Sequence, residues 1–405
     1  MTIRRHPTDF LVREIIVDAL LSQLEPVWSP KAQHALYELT KQSLTTPAGA
    51  GMLAHKLGFR PADVVHAGLK DKHALTTQAV TIRVRTQELG AGLPAQTQER
   101  AMSAKLLGWL PRPVVAPDIE ANSFAIIVRD LSAQACERMD VRAKLLRDRD
   151  ALLLPNYFGD QRFAGVRSMA TERRFAAQCL LAGDFEGALK LLIATPTRKE
   201  SGATRTASRL CIQHWGKWSD LLKQLPKSPA RNVVDVLALN GSFLKAFEAL
   251  PYLDQQMCVE SFQSHLWNRA AAQMIRDHTT TGWVEPGATS ELAFTNAADV
   301  PLSLRDVRVP MPSPSLADRM SSGSELPWAG PMKKVLADER IRPSSLRIPG
   351  LRRPSFDDFD RPLFVRPRRF TMTQAVPEAK RFMRELRFDL PSGVYATNLL
   401  RALGE

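Results

Sequence analysis

The chain has 405 residues, of which 44% are apolar and 24% charged, as in a folded globular protein of about two to four domains. It contains no run of about 18 apolar residues, which excludes an ordinary transmembrane helix. Residues 1–9 carry no apolar signal segment, so we expect a cytoplasmic protein. The formal net charge of +13 favours nucleic acid as a partner, although basicity that serves only solubility fits equally well.

Cysteine and histidine spacing predicts neither a metal site nor disulfides. The four cysteines lie far apart, and the eight histidines form no H-x-x-x-H or H-E-x-x-H pair. The chain also lacks G-x-G-x-x-G and Walker sequences, the usual cradles for dinucleotides and nucleoside triphosphates. We therefore expect no metal and no nucleotide cofactor.

The first 155 residues mix strand and helix signals without a regular βαβ rhythm. Strand patterns, the first of them read as an amphipathic edge strand, occur at 10–14, 64–67, 80–85 and 124–128. One helix is predicted from Ser29-Pro30, with Leu36, Leu39 and Leu44 on its apolar face. A second helix is predicted from Thr46-Pro47 to Gly58. This mixture favours an α+β sheet layered with helices.

The middle of the chain is predicted to be helical. Residues 165–280 include helical patterns at 175–192 and 260–276. A strand is predicted again at 385–391, followed by a short C-terminal helix. A helical block between two β-rich parts indicates an insertion into one split domain.

The segment AGLKDKHALTTQ at 67–78 places Asp71 between Lys70 and Lys72, in a loop that joins two predicted strands. An ionised aspartate on a loop held by strands can act as a nucleophile, a general base or a metal ligand. Lys70 and Lys72 are candidate RNA contacts. Taken alone, the K-D-K triplet is explained at least as well by a solvated charged turn.

Three other segments carry candidate RNA-contacting side chains. Asn122 and Phe124 open a strand, where a ring can stack on a base, although burial is the commoner use of phenylalanine. Arg162 follows an aromatic turn and can pair with phosphate or with a neighbouring carboxylate. His265 and Arg269 lie four residues apart on a predicted helix, which fits a phosphate-facing stripe or a solvated face equally.

These segments, taken together and in order, resemble the TruD family of pseudouridine synthases. The matching motifs span nearly the whole chain: F-x-V-x-E at 10–14, A-G-L-K-D-K-x-A-x-T-x-Q at 67–78, N-x-F at 122–124, P-N-Y-F-G-x-Q-R-F at 155–163, Q-S-x-L-W-N at 263–268 and L-P-S-G-x-Y-A-T at 390–397.

The resemblance implies an isomerase that converts a uridine of tRNA, usually uridine-13 in the D-arm, to pseudouridine without cofactor or metal. It implies an α+β fold in which a catalytic domain with a mixed or antiparallel sheet, at 1–155 and 346–405, is split by an inserted, mostly helical TRUD domain at 156–345. We expect a monomer. The alternatives are a synthase of broader RNA range, a non-catalytic RNA-binding protein of the same fold, and an RNA-modifying enzyme of another reaction, such as methyl transfer.

The resemblance also implies residue roles. Asp71 aligns with the catalytic aspartate, whose carboxylate attacks the uridine at base C6 or sugar C1′. Phe124 aligns with the aromatic residue that stacks on the extruded uracil, and Asn122 with the amide beside it. Tyr395 aligns with a second aromatic residue that lines the pocket, and Arg4 with a cationic residue near the carboxylate.

Three positions depart from the family pattern. Arg4 stands where the family often has lysine, Tyr395 where it often has phenylalanine, and Ala164 where glycine frequently follows R-F. An arginine at position 4 can still hold a carboxylate, with a planar fork in place of a point charge. A phenol at position 395 adds a hydrogen-bond donor to the pocket.

Overall fold

The computed structural model describes residues 3, 5–163, 168–169, 172–173, 175–196, 202–321 and 326–404. The chain divides into two compact units. Unit 1 comprises residues 1–154 and 366–405, and unit 2 comprises residues 155–365. The sequence analysis puts the return to the first domain at residue 346, whereas residues 346–365 belong to unit 2. One reason is that Asp360–Pro362 pairs antiparallel with Arg308–Pro310 inside that unit.

The elements are numbered in chain order. Unit 1 begins with strands β1 Phe10–Ile16, β2 His34–Gln42, β3 Val64–His66, β4 Leu75–Arg83, β5 Gln96–Glu99, β6 Met102–Leu110, β7 Ile119–Leu131, β8 Arg147–Asp148 and β9 Ala151–Leu152, and with helices α1 Asp18–Leu21, α2 Thr46–Leu57, α3 Gln87–Ala91 and α4 Ala133–Leu145. The short strand β10 Leu154–Pro155 lies where the chain passes into unit 2.

Unit 2 is mostly helical. Its helices are α5 Ala176–Leu181, α6 Phe185–Ile193, α7 Gly202–Gln213, α8 Trp218–Gln224, α9 Pro229–Asn240, α10 Phe243–Glu248, α11 Tyr252–His278, α12 Leu302–Arg305, α13 Leu316–Ser321 and α14 Ala329–Asp338. Its strands are β11 Ser168–Met169, β12 Glu172–Arg173, β13 Gly282–Pro286, β14 Glu291–Thr295, β15 Arg308–Pro310, β16 Asp360–Pro362 and β17 Phe364–Val365. The chain then returns to unit 1 with β18 Arg368–Met372, β19 Val376–Glu378, β20 Arg381–Pro391 and α15 Ala396–Leu403.

A mixed sheet organises unit 1. Its strand order is β18-β20-β7-β1-β4-β2-β6-β5, with β19 beside β20 and β3 beside β4. The pair β1–β4 is parallel, whereas β20–β7, β7–β1 and β4–β2 are antiparallel. The C-terminal strand β20 therefore lies next to β7, so both ends of the sequence build one sheet. The α+β prediction with a mixed sheet is confirmed.

Two predicted elements, a helix and an edge strand, are wrong. Both are interior strands of the sheet. The predicted helix from Ser29-Pro30 is instead β2, which lies between β4 and β6. The predicted edge strand at 10–14 is β1, which lies between β7 and β4. Strand β1 alternates as an edge strand does although it has a neighbour on each side, whereas β2 is buried over much of both faces and lacks clean alternation. The buried Leu36 and Leu39 of β2 therefore matched a helical spacing by chance.

Other predicted elements agree with the structure. Helix α2 begins beside Thr45, whose side chain caps it, and ends at Gly58 in a left-handed conformation with φ 76°. The helix predicted at 260–276 lies inside the longer α11, and the C-terminal strand and helix are β20 and α15. No helix of the described segments is long and apolar enough to cross a membrane.

Unit 2 is built around α11. The motifs at 155–163 and 263–268 contact each other there. The Phe158 amide donates to Asn268 Oδ1 at 2.8 Å, and Asn268 Nδ2 donates to the Phe158 carbonyl at 3.0 Å. The Tyr157 hydroxyl is buried and donates to the Ala293 carbonyl at 2.6 Å. Burial raises the pKa of this phenol far above its usual range. The aromatic segment at 156–163 therefore packs against α11 and β14.

Gly108 is expected to be essential for the packing of β6. Its φ is +154°, and a Cβ there would lie 2.9 Å from the Glu25 carbonyl oxygen, which already accepts from the Trp109 amide. We expect Gly108→Ala to lower the free energy of unfolding by about 1–3 kcal/mol.

The matched control is Gly92→Ala, because a Cβ at Gly92 has its nearest neighbour at an ordinary 3.5 Å. This change should stay within about 0.5 kcal/mol of the parent. Urea denaturation of both variants measures the difference, and equal stabilities would contradict the role given to Gly108.

Candidate functional site

The candidate site lies on one face of the unit 1 sheet. Cross-strand pairing places one side chain from each of β20, β7, β1, β4 and β2 in a row: Phe388, Phe124, Val12, Thr76 and Lys41. Directly paired residues point to the same face. Asn122 and Glu14 are also paired, two residues along from this row, and lie on the same face. The row thus joins the aromatic candidates to the loop that carries Asp71.

A buried ion pair ties this loop to the sheet. The Lys70 ammonium lies 2.6 Å from Glu14 Oε1, and the two side chains are 12% and 1% exposed. The other carboxylate oxygen of Glu14 accepts from the Ala79 amide of β4 at 2.8 Å. Because removing one partner leaves a buried charge uncompensated, this pair strongly restrains the position of Lys70. Glu14 lies opposite Asn122, so the pair brings the loop next to β7.

A hydrogen-bond relay fixes the main chain of the same loop. The Lys70 amide donates to Thr46 Oγ1 at 2.9 Å, and the Thr46 hydroxyl donates to Gln78 Oε1 at 2.9 Å. Gln78 Nε2 then donates to the Gly68 carbonyl at 3.2 Å. Thr46 and Gln78 are buried. The relay therefore satisfies loop groups on both sides of Leu69, as buried polar groups require.

Lys41 holds the main chain of Asp71, the residue after Lys70. Its side chain is fully buried, and its Nζ donates to the carbonyls of Leu44 at 2.6 Å and Asp71 at 3.0 Å. Burial lowers the pKa of Lys41 to about 8, while Asp71 acts in the opposite direction. The main chain of Asp71 is thus anchored from below by a lysine on β2.

The Asp71 side chain is partly exposed at the surface of the site. Its Oδ1 accepts from the His73 amide at 3.1 Å, and the Asp71 residue is half-buried, whereas Lys72 and His73 are exposed. The carboxylate of Asp71 is thus held by its own turn, on a main chain anchored by Lys41.

Aromatic rings form the opposite end of the row. The Phe124 ring stacks on Phe388 with 5.3 Å between centroids and 22° between planes, and meets Phe10 edge-on at 6.2 Å. Phe10 and Phe388 are buried, whereas Phe124 is half-buried. Phe124 is therefore the ring of this group that retains surface for a ligand.

Asn122 lies in β7, and Tyr395 follows β20, the strand that pairs with β7. The Asn122 Oδ1 is buried and has no hydrogen-bond partner within the described part of the chain. Leu390 of β20 is paired with Asn122, and the turn after β20 leads to Tyr395, the half-buried residue that precedes α15. A buried acceptor without a partner costs free energy that a ligand donor can recover.

Two residues of interest lie outside the described residues, namely Arg4 and Ala164. The roles given to them stay predictions.

The structure places the other three candidates in unit 2, where each has partners within the unit. Arg162 pairs with Glu260 at 2.5 Å and donates to Ser264 Oγ at 3.2 Å. His265 is buried, with its Nδ1 3.0 Å from Thr289 Oγ1 and its ring against Phe175.

Arg269 of α11 is likewise paired, with acidic residues at the end of α14. It pairs with Asp338 at 2.8 Å and with Glu339. The pKa of Glu339 is lowered, chiefly by the hydrogen bond with His265. His265 and Arg269 thus share one face of α11, as the spacing predicts, and that face contacts Glu339. Contact between RNA and these residues stays a prediction.

Sequence reasoning missed the residues that hold the loop. Lys41 is not among the predicted site residues because the sequence predicts a helix over β2, and Glu14 enters only as part of a predicted edge strand. The available signal for both is a charged residue at the next position of an apolar face of period 2, after Phe10 and Val12 or after Tyr37 and Leu39, where it requires a buried partner. In the described residues, no group of three or more His, Cys, Asp or Glu converges as metal ligands do.

Comparisons with known proteins agree on one family. The family model described as "TruD: tRNA pseudouridine synthase D (TruD)" matches residues 1–403. The tRNA pseudouridine synthase D of Aquifex aeolicus (strain VF5) is 29% identical over 405 residues, which cover 99% of this chain and 97% of that protein. A probable tRNA pseudouridine synthase D 1 of Methanococcus maripaludis is 24% identical and covers 99% of this chain and 98% of its own length.

A solved structure shares the fold. The putative tRNA pseudouridine synthase D of Methanosarcina mazei superposes with a TM-score of 0.68 at 22% identity, covering 99% of this chain and 92% of that one.

The burial of Lys41 predicts a particular dependence of stability on pH. Its pKa falls from 10.5 to about 8 on folding, so the folded chain binds fewer protons than the unfolded chain between these values. The free energy of unfolding should then rise with pH in this window, by up to about 1.4 kcal/mol per unit. The stabilisation that neutral Lys41 gives the folded chain is fully present above the unfolded pKa of 10.5 and is lost as pH falls through about 8.

Lys41→Met should remove this dependence. Its stability relative to the parent should be most favourable near neutral pH and decline toward about pH 10. Urea denaturation of both proteins across this range measures the difference. Parallel pH profiles would contradict the buried, shifted lysine.

Proposed function

Because the chain belongs to the TruD family of tRNA pseudouridine synthases, which are isomerases, we propose that it converts uridine-13 in the D-arm of tRNA to pseudouridine, with Asp71 as the nucleophile. The observation that carries this proposal is the anchored loop. Asp71 follows Lys70, which is tied to Glu14, and Glu14 lies directly opposite Asn122. The loop that carries the proposed nucleophile is thus tied to the sheet face that carries both base-binding candidates.

The proposed substrate must leave its helix before it reacts. A paired uridine is inaccessible to a side chain, and its extrusion costs roughly a few kcal/mol. Stacking on an aromatic face returns about 1–3 kcal/mol per base. Phe124 supplies that face, because its ring is half-buried and supported from behind by Phe388. Tyr395 is proposed as the second aromatic residue of the pocket, with a hydroxyl that can bond to the base.

Asn122 is proposed to read the uracil. Its buried Oδ1 lacks a partner in the described structure and can accept a hydrogen bond from the N3–H group that uracil presents. Thymine shares this donor, whereas cytosine has an acceptor at N3. The contact therefore favours uracil over cytosine.

The reaction rearranges one bond to the sugar. The Asp71 carboxylate attacks either C6 of the base or C1′ of the sugar, and the C1′–N1 bond breaks. The base turns, and a new bond forms between C5 and C1′. C5 loses its proton and N1 gains one, so the product has the mass of the substrate and no oxidant or cofactor is consumed. Both points of attack are compatible with a carboxylate on a partly exposed loop.

The division of the chain suggests separate tasks for its two units. We propose that unit 1 carries out the reaction in the cytoplasm and that unit 2 contributes to the recognition of tRNA. Arg4, Lys70 and Lys72 are proposed to contact the substrate from unit 1. Arg162, His265 and Arg269 are proposed RNA contacts of unit 2, of which Arg269, the most exposed of the three, is the most accessible.

Asp71→Asn tests the nucleophile. An amide is a poor nucleophile, yet its oxygen can still accept from the His73 amide, so the loop should keep its shape. We expect pseudouridine formation to fall by about a thousandfold or more, with tRNA affinity within a few fold. Mass analysis of nucleosides and tRNA binding assays measure both quantities.

Wild-type activity in Asp71→Asn would remove Asp71 from its role. An inactive parent that binds tRNA would favour the non-catalytic RNA-binding alternative, and a product heavier by a methyl group would favour methyl transfer.

The target position is tested with matched transcripts. A tRNA transcript with uridine at position 13 should gain one pseudouridine there, whereas the same transcript with cytidine at position 13 should gain none. Chemical mapping of pseudouridine locates the product. Modification of other uridines in the altered transcript would instead support the broader RNA range.

A further inference from the structure

Lys41 is a buried charge that the reaction described above does not use. Its side chain starts on β2 and passes beneath the Asp71 loop, where Nζ donates to the main-chain carbonyls of Leu44 and Asp71. Leu44 lies just before α2, and Asp71 lies between β3 and β4. One ammonium group therefore joins two separate segments of the chain at the nucleophile itself.

The position of this lysine is costly. A fully buried ammonium loses its hydration, and burial is the largest influence on the pKa of Lys41. A leucine or methionine would fill much of the same space on β2 without that penalty. The stability of the sheet alone is therefore a poor explanation for a lysine at position 41. The main chain of β2 pairs with β4 and β6 along its length without using the Lys41 side chain.

The neighbouring helix leaves room for the lysine stem. Gly49 lies on the buried side of α2, and a Cβ there would approach Lys41 Cδ to 3.2 Å and Lys41 Cβ to 3.6 Å. Glycine is unfavourable within a helix by roughly 0.5–1 kcal/mol relative to alanine. The helix thus carries an unfavourable residue at the point where the Lys41 stem passes.

We propose that Lys41 is a positioning residue for catalysis, which fixes the position and orientation of Asp71 by holding the Asp71 carbonyl oxygen. In this proposal, Gly49 provides the space that the Lys41 side chain requires. The inference rests on the proposed role of Asp71 as nucleophile. Lys41 acts through the main chain of Asp71 and does not touch the substrate. Its loss should therefore slow the chemical step and leave the binding of tRNA unchanged.

Three variants separate this role from a general effect on folding. Lys41→Met keeps an unbranched side chain, one atom shorter than lysine, and removes its donors. Gly49→Ala keeps the lysine but requires its stem to shift by a few tenths of an ångström. The control, Lys56→Met, makes the same chemical change at an exposed position of α2.

The experiment measures the single-turnover rate of pseudouridine formation at saturating tRNA, together with tRNA affinity. A misplacement near 1 Å can lower a rate by about a hundredfold, so we expect Lys41→Met to be slower by about 10- to 100-fold. Gly49→Ala should be slower by about three- to tenfold, since its shift is smaller. All three variants should bind tRNA within about twofold of the parent, and Lys56→Met should react at the parental rate.

Amide hydrogen exchange distinguishes a local effect on the Asp71 loop from a general loss of stability. In Lys41→Met, exchange should accelerate in peptides covering 67–74 and stay unchanged in α4 and β7. Uniform acceleration throughout unit 1 would overturn the inference, as would a folded Lys41→Met with the parental rate. If Lys41→Met does not fold, Gly49→Ala decides, and its parental rate would overturn the inference. A parent without activity would instead refute the proposed function.

Discussion

The ion pair between Glu14 and Lys70 is the contact on which the arrangement of the site depends. Both charges are largely buried, and the second oxygen of Glu14 is occupied by the Ala79 amide. A loop segment can present a reactive side chain reproducibly only if its own polar groups are satisfied. Here the sheet supplies Glu14 for the Lys70 ammonium and Gln78 for the Gly68 carbonyl, and α2 supplies Thr46 for the Lys70 amide.

The same sheet explains why the reactive and aromatic candidates come from distant parts of the sequence. Strand β20 pairs with β7, β7 with β1, and β1 with β4, which follows the Asp71 loop. Side chains from residues near 12, 76, 124 and 388 therefore share one row on one face. Unit 2 uses its motif residues differently. Its aromatic segment and α11 bond to each other through Phe158 and Asn268, so these motifs stabilise the unit.

Sequence reasoning identified the segments that carry the site more reliably than the residues that support it. The Asp71 loop, the strand with Phe124 and the split organisation were predictable, because short motifs and period-2 patterns report them directly. Lys41 was not, because β2 is buried over much of both faces and lacks clean alternation. Glu14 was not, because the alternating pattern of β1 reports neither its neighbouring strands nor a partner for its carboxylate. Because the sequence predicts a helix over β2, it does not show that the Lys41 side chain points into the interior. Pairings such as Glu14 with Lys70 depend on strand order, which local patterns do not encode.

A crystal structure of Asp71→Asn bound to tRNA tests the central claim most directly. The account predicts an extruded uridine stacked on Phe124, with the residue 71 side chain within about 3.5 Å of either C6 or C1′. A uridine that remains in its helix, or a bound base far from residue 71 and in contact with another carboxylate, would contradict it.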